Sequence, residues 1–185
     1  MVSTNNLKNG MTLDLGGELW RVDYFQHVKP GKGGAFVRTT LKGVRTGKTV
    51  DRTFRAGEQV EQAILERRSL QYLYADDGTL VFMDTGHFEQ TYVPRAAIGD
   101  HARWFTEGDV IELVFHGDEV VGVELPASVA LTVADTDPGL QGDRVSGATK
   151  PATLETGAVV QVPLFIEEGE TVRVDTRSGT YVSRA

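Results

Sequence analysis

The chain has 185 residues, of which 40% are hydrophobic and 24% charged, the balance of a folded, water-exposed protein. No apolar run approaches the roughly 18 residues of a membrane span, and the segment after Met1 has neither the basic start nor the apolar core of a secretion signal. Cysteine is absent, which excludes disulfides, thiolate catalysis and thiolate metal sites and makes cytoplasmic residence, free of membrane, the expectation. The net charge of −7 conceals a gradient. Residues 1–62 carry ten Lys and Arg against six Asp and Glu, for +4. Residues 63–126 carry four against twelve, for −8, and residues 127–185 five against eight, for −3. Salt screens surface charge beyond roughly 10 Å. A basic first third can therefore meet phosphates while an acidic middle discourages non-specific adhesion.

Almost every segment reads as strand and turn. Residues 11–15 lead through Gly16 and Gly17 into residues 18–28. There Trp20, Val22 and Tyr24 alternate with Arg21, Asp23 and Phe25, which predicts the first three on one face. After the glycine-rich stretch 29–34, residues 35–44 and 49–54 continue the period of two. Four or five short strands in about 60 residues predict a small barrel. Residues 59–65 predict one helical turn, and the first domain is placed at residues 1–64. A second domain, 65–127, takes a strand at 70–74, a turn at Asp76-Asp77-Gly78, a strand at 79–84 and another that Pro94 ends. A short helix within 96–105 and a hairpin from 110 to 125 complete it. A third domain, 128–185, has turns at Asp137-Pro138-Gly139 and Ser146-Gly147-Ala148 and strands at 158–166 and 171–174. About 60 residues is the size of a five-stranded oligonucleotide-binding barrel. One internal echo stands out: Leu73-Tyr74-x-Asp76-Asp77-Gly78-x-x-Val81-x-x-Asp84-Thr85 parallels Leu164-Phe165-x-Glu167-Glu168-Gly169-x-x-Val172-x-x-Asp175-Thr176. It falls early in the second domain and late in the third, which favours repeated turn chemistry over tandem duplication.

The chain offers no catalytic constellation. His27, His87, His101 and His116 lack zinc spacing. Ser69, Ser128, Ser146 and Ser178 sit in no nucleophile elbow. Gly31-Lys32-Gly33-Gly34 is no phosphate-binding P-loop, because neither Ser nor Thr follows the lysine and no helix pattern begins there. No enzyme activity, metal site or cofactor is expected. The pointed feature is His27-Val28-Lys29-Pro30-Gly31-Lys32-Gly33-Gly34-Ala35-Phe36, which sets Lys32 at the tip of a turn between two strands. Pro30 fixes one dihedral, and Gly31, Gly33 and Gly34 add no bulk. An ordinary lysine amine is a poor nucleophile unless desolvated. Lys32 therefore reads either as a solvated tip or as a positioned cation or attachment site.

Several motifs occur in one order: residues 29–36, Arg52-Thr53-Phe54, Tyr72-Leu73-Tyr74, Phe82-Met83-Asp84 and Asp135-Thr136-Asp137-Pro138-Gly139. The run 150–165 and the terminus Asp175-Thr176-Arg177-Ser178-Gly179-Thr180-Tyr181-Val182-Ser183-Arg184 follow. Over essentially its whole length the chain resembles bacterial translation elongation factor P. The resemblance implies an all-β monomer of three small β-barrels in an elongated arrangement, a KOW (SH3-like) barrel followed by two OB-fold barrels, similar in shape to a transfer RNA. It implies the 70S ribosome and the peptidyl-tRNA in the P site as partners, and relief of stalling at consecutive prolines. Lys29, Pro30, Gly31, Lys32, Gly33 and Gly34 then form a finger that reaches toward the peptidyl-transferase centre. In many relatives a lysine-modifying enzyme lengthens the side chain matching Lys32. Relatives given a β-lysyl group often have Gln where Gly34 stands. Arg38, Lys42, Arg45 and Arg52, with Lys48 and Arg55, are candidate phosphate contacts of the first domain. In the third, Arg144 within residues 142–148, Tyr181 and Arg184 match RNA-facing positions, although Tyr181 also fits a packing role.

Two other classes compete. A stand-alone binder of single-stranded nucleic acid joins a basic groove to stacking aromatics, and the −8 and −3 segments lack the basic part. An enzyme would turn over substrate without ribosomes. Within the family, the Lys-Pro-Gly-Lys-Gly finger and the Asp-Thr-Arg-Ser-Gly terminus weigh against the elongation-factor-P-like paralogues.

Overall fold

The computed structural model describes residues 1–139 and 148–185. Its first sheet contains β1 (Val2–Ser3), β2 (Thr12–Leu15), β3 (Glu18–Val28), β4 (Phe36–Gly43), β5 (Thr49–Arg55) and β6 (Gln59–Ala63), in the order β1-β6-β2-β3-β4-β5. The second contains β7 (Glu66–Asp76), β8 (Thr79–Met83), β9 (Gln90–Pro94), β10 (Val110–His116) and β11 (Glu119–Glu124), in the order β11-β10-β7-β8-β9. Between β9 and β10 lie a single helical turn, α1 (Arg95–Ile98), and a 3-10 segment, Gly99–Trp104. The third contains β12 (Ser128–Thr136), β13 (Thr149–Leu154), β14 (Val159–Pro163), β15 (Thr171–Asp175) and β16 (Tyr181–Arg184), in the order β14-β13-β12-β15-β16. The all-β expectation holds, as three β-sheet domains. In sheets two and three the first strand lies in the middle, and the strand order of one is that of the other read from the opposite edge.

The chain forms two compact units, residues 1–68 with 113–122, and residues 69–112 with 123–185. In the first, alternation along β2, β3, β4 and β5 buries Leu13, Val22, Val37, Leu41 and Phe54, joined by Leu7 and Val60. Residues 59–65, expected as a helical turn, instead give β6. It pairs with both β1 and β2, and buries Val60 and Ala63 two and five positions along, so closing the sheet outweighs local helix preference.

In the second unit, Tyr72, Phe82 and Phe105 form a ring cluster with centroids 5.1–6.2 Å apart. Burial, then the Glu107 carboxylate, pushes the Tyr72 phenol above its ordinary range, while Arg95 pulls it down. Trp104, at the end of the 3-10 segment, is 2% exposed among Leu131, Leu154, Val160, Ile166 and Val174. The Arg103 guanidinium covers its ring at 4.6 Å, and Thr156 Oγ1 donates to the Arg103 carbonyl at 2.6 Å. The expected strand 158–166 stops at Pro163, because the chain turns there to send Ile166 into this core. Gly139 is required by proximity: a Cβ there would collide with the Leu164 carbonyl.

The acidic-Gly turns of the internal echo differ. Asp76-Asp77-Gly78 closes a hairpin with Asp76 opposite Thr79, whereas Glu167-Glu168-Gly169 joins β14 to β15, which do not pair. The likeness lies in the turns that begin at the end of the echo. Asp84 Oδ1 accepts from the N–H groups of Gly86 and His87, and Asp175 Oδ1 from those of Arg177 and Ser178. The Asp84 and Asp175 carbonyls accept from Phe88 and Gly179, and their N–H groups donate to Glu89 and Thr180. Four hydrogen bonds recur at one offset. Yet the first turn joins the second and third strands of its sheet and the second joins the fourth and fifth, so the likeness is local and domain duplication does not explain it.

Candidate nucleic-acid interface

β3 and β4 form a long hairpin, paired from Trp20 opposite Gly43 to Val28 opposite Phe36. Past that last pair the chain leaves the ladder through residues 29–35. A loop of that length reaches at most about 13 Å beyond the sheet. Residues 29–34 are all exposed. Gly33 has φ +105°, a conformation L side chains resist, so here glycine is a backbone requirement. Gly31 and Gly34 lie outside that region, and a Cβ at either would meet nothing within 4 Å. Their effect is to keep the tip narrow. Among the described residues neither Lys29 nor Lys32 has an acidic partner.

The other expected contacts divide. Arg38 and Lys42 are exposed on β4, the same strand that leaves the loop. The Arg38 guanidinium lies 5.6 Å from the Phe36 ring, toward the loop end, and Arg52 lies 5.1 Å from the Phe54 ring. Arg38 and Lys42 share the outer face of β4, on the strand that leaves the Lys29 and Lys32 loop, whereas Arg52 lies opposite the buried Thr39 and projects from the other face beside Phe54. Arg45 belongs to neither group. It sits past the far end of β4, where it donates to the Gly17 carbonyl at 3.2 Å and pairs with Glu119 at 3.1 Å.

In the second unit Arg184 pairs with Glu170 at 3.2 Å and lies 4.6 Å from the Phe165 ring. Tyr181 is half-buried against the core around Trp104. Arg144, with the rest of residues 142–147, lies outside the described residues. Among those described, no group of three or more His, Cys, Asp or Glu gathers to hold a metal, and no helix is long and apolar enough to cross a membrane.

Tyr24 was missed. A β-bulge in β3 between Val22 and Tyr24 inserts Asp23 as an extra residue against β4. The one-residue slip reverses the alternation beyond it. Val22 stays inside at 0% exposure, Phe25 packs against the core, and Tyr24 turns outward with 54% of its surface exposed. The expectation that Tyr24 shares the Val22 face is therefore wrong. Arg21 Nε donates to Asp23 Oδ1 at 2.8 Å across the bulge, and no feature of the alternation announces the slip.

The strand orders define a class of modular β protein whose fold also occurs among solved structures. "Eukaryotic translation initiation factor 5A from Methanococcus jannaschii" superposes with a TM-score of 0.53 at 24% identity, over 66% of this chain and 90% of that one. A translation initiation factor eif-5a family protein from Naegleria fowleri gives 0.54 at 14% identity, over 67% and 94%. These likenesses concern the fold.

Sequence comparison goes further. Residues 3–60 match the model of the elongation factor P KOW-like domain, 65–123 that of the elongation factor P OB domain, and 129–184 that of the elongation factor P C-terminal domain. Elongation factor P of Parafrankia sp. (strain EAN1pec) is 59% identical over all of this chain and 98% of its own length. The Frankia casuarinae relative is 58% identical over the same shares, and that of Acidothermus cellulolyticus 57% over 100% and 99%. The chain belongs to the elongation factor P family. It is a translation factor and not an enzyme.

Proposed function

We propose that this chain enters the ribosome beside peptidyl-tRNA in the P site and stimulates peptide-bond formation at consecutive prolines, with residues 1–64, 65–127 and 128–185 as its three modules. The observation that carries this reading is the bare fingertip: Lys32, exposed and without an acidic partner among the described residues, on a loop kept narrow by Gly31, Gly33 and Gly34. Proline is a slow partner in bond formation because its ring constrains the backbone. Holding the tRNA acceptor end in a productive pose is worth several kcal/mol without any general base. Lys29 and Lys32 meet the acceptor-end backbone, while Arg38, Lys42 and Arg52 meet phosphates along the sheet. Arg45, Arg184 and Tyr181 contact RNA through the edges that their internal contacts leave open; a guanidinium has five donors. Arg144 completes the set in the third module. The protein works in the cytoplasm as a monomer, and Lys32 is the position at which a host enzyme would extend the cation.

A ribosomal assay of tripeptide synthesis on proline codons tests this. The wild-type chain accelerates synthesis and a folded Lys32→Ala chain does not. Full stimulation by Lys32→Ala would remove the fingertip from the mechanism. Intact-mass measurement of protein from its own host reads the modification directly.

A further inference from the structure

The outer face of β3, β4 and β5 carries a groove of about 390 Å³ lined in part by Tyr24, Gln26, Arg38, Thr40, Asp51 and Thr53. Two cross-strand rows build it. Tyr24 lies opposite Thr40, which lies opposite Asp51; Gln26 lies opposite Arg38, which lies opposite Thr53. The second row is the nearer to the Lys32 loop, and the two are two residues apart along each strand, roughly 6.6 Å. Thr40 Oγ1 donates to Asp51 Oδ1 at 3.0 Å, which fixes the carboxylate and leaves its other oxygen to accept. Arg38 has no acidic partner among the described residues.

From this arrangement, and resting on the RNA-contacting role proposed above, we infer that the groove is a site for one unpaired nucleotide of an RNA strand, with its base stacked on Tyr24 and its phosphate on Arg38. An exposed tyrosine ring offers a π-face that any base can use. The carboxylate in the Tyr24 row sorts among bases. Asp51 accepts hydrogen bonds and gives none when ionised, so it favours a base edge that presents N–H donors, guanine best, and disfavours a phosphate. The phosphate is thereby directed to the Arg38 row, on the side of the basic loop. A simple phosphate bowl would have no carboxylate in its floor, and an apolar protein-docking face would not be lined by a guanidinium, a carboxylate and hydroxyls. The bulge at Asp23 supports the same assignment independently. Regular pairing would bury Tyr24 beside Val22; the extra residue is what aims the ring at the groove.

The test is NMR titration of the isotope-labelled full-length protein with three probes: a heptauridylate bearing one central guanosine, heptauridylate itself, and guanosine monophosphate. The guanosine strand should shift the amides of Gln26, Thr40, Asp51 and Thr53 and bind about tenfold more tightly than heptauridylate. Tyr24→Ala should weaken it at least about tenfold, with Tyr24→Phe restoring binding, and Asp51→Asn should abolish the preference between the two strands. Unchanged affinity in Tyr24→Ala, shifts confined to residues 29–34, or equal affinity for the two strands would overturn the site. Guanosine monophosphate binding as tightly as the strand would overturn its assignment to RNA. Failure here is separable from failure of the ribosomal role, because stimulation that depends on Lys32 can persist in a chain that does not bind free RNA.

Discussion

The 29–35 loop and the Trp104 segment are both short connections between strands, and they spend their side chains in opposite ways. In the loop nothing is consumed: Lys29 and Lys32 face solvent, and the glycines contribute an absence of bulk. Around Trp104 every strong group is engaged. The indole lies in a core, Arg103 stacks on it, and the Arg103 carbonyl takes the Thr156 hydroxyl. Side chains free of internal partners are available to act on something else, whereas engaged ones set stability. Within the basic set, Arg38 and Lys42 have no acidic partner among the described residues, whereas Arg45 and Arg184 are paired with Glu119 and Glu170.

The largest expected effect is on the engaged side. Trp104→Ala should cost about 3–5 kcal/mol, as for other fully buried aromatics, read as a lower denaturant midpoint for the unit of residues 69–112 and 123–185. A loss below about 1 kcal/mol would mean that the indole is not a structural anchor. Lys32→Ala should do the reverse. Stability stays within about 0.5 kcal/mol, the usual range for a surface change, while proline-dependent stimulation falls tenfold or more, a barrier change of about 1.4 kcal/mol. If Lys32→Ala unfolds the chain, or Trp104→Ala alters stimulation alone, the division breaks.

How far each region could be read in advance follows from the same contrast. The fingertip was legible because its composition is its structure: Pro30 and three glycines between alternating runs can hardly be anything else. The three all-β modules were legible from turn residues and period-two patterns. The chain did not announce where Trp104 goes, because one aromatic in a short helix-like stretch is compatible with many cores. Tyr24 was misplaced because the bulge at Asp23 is a property of pairing between β3 and β4, and local alternation carries no trace of it. β6 was misread for a related reason, since its strand identity comes from β1 and β2. The basic residues were legible as charges but not as free or engaged, which depends on partners such as Glu119 and Glu170 far along the chain.

The two matched turns give a finer version of the comparison. Both hold the same hydrogen bonds, but the left-handed position is Gly179 in one, at φ +70°, and Phe88 in the other, at φ +59° and 72% exposed. A side chain in that conformation costs roughly 1–2 kcal/mol, and glycine returns about 0.5–1 kcal/mol of it through the entropy of the unfolded chain. Phe88→Gly should therefore stabilise by about 0.5–1 kcal/mol, and Gly179→Ala should destabilise by about 1 kcal/mol, both by thermal unfolding. A destabilised Phe88→Gly would mean that the exposed ring makes a contact which outweighs its backbone cost.

The smallest effect is the pH dependence of these turns. The Gly86 N–H, then that of His87, holds the Asp84 carboxyl below its ordinary range; the Ser178 N–H, then that of Arg177, does the same for Asp175. A depressed folded value means that the unfolded chain binds the proton more readily. Each turn's contribution is thus complete above the ordinary carboxylate range and is lost as pH falls below that range, through the folded value. Because both carboxylates are solvent-facing, the contribution is small, and it is best read as a difference. Asp84→Asn and Asp175→Asn should each flatten the fall in unfolding temperature between neutral pH and about pH 3. Equal slopes in wild type and both variants would show that the N–H pairs hold turn shape without favouring the ionised form.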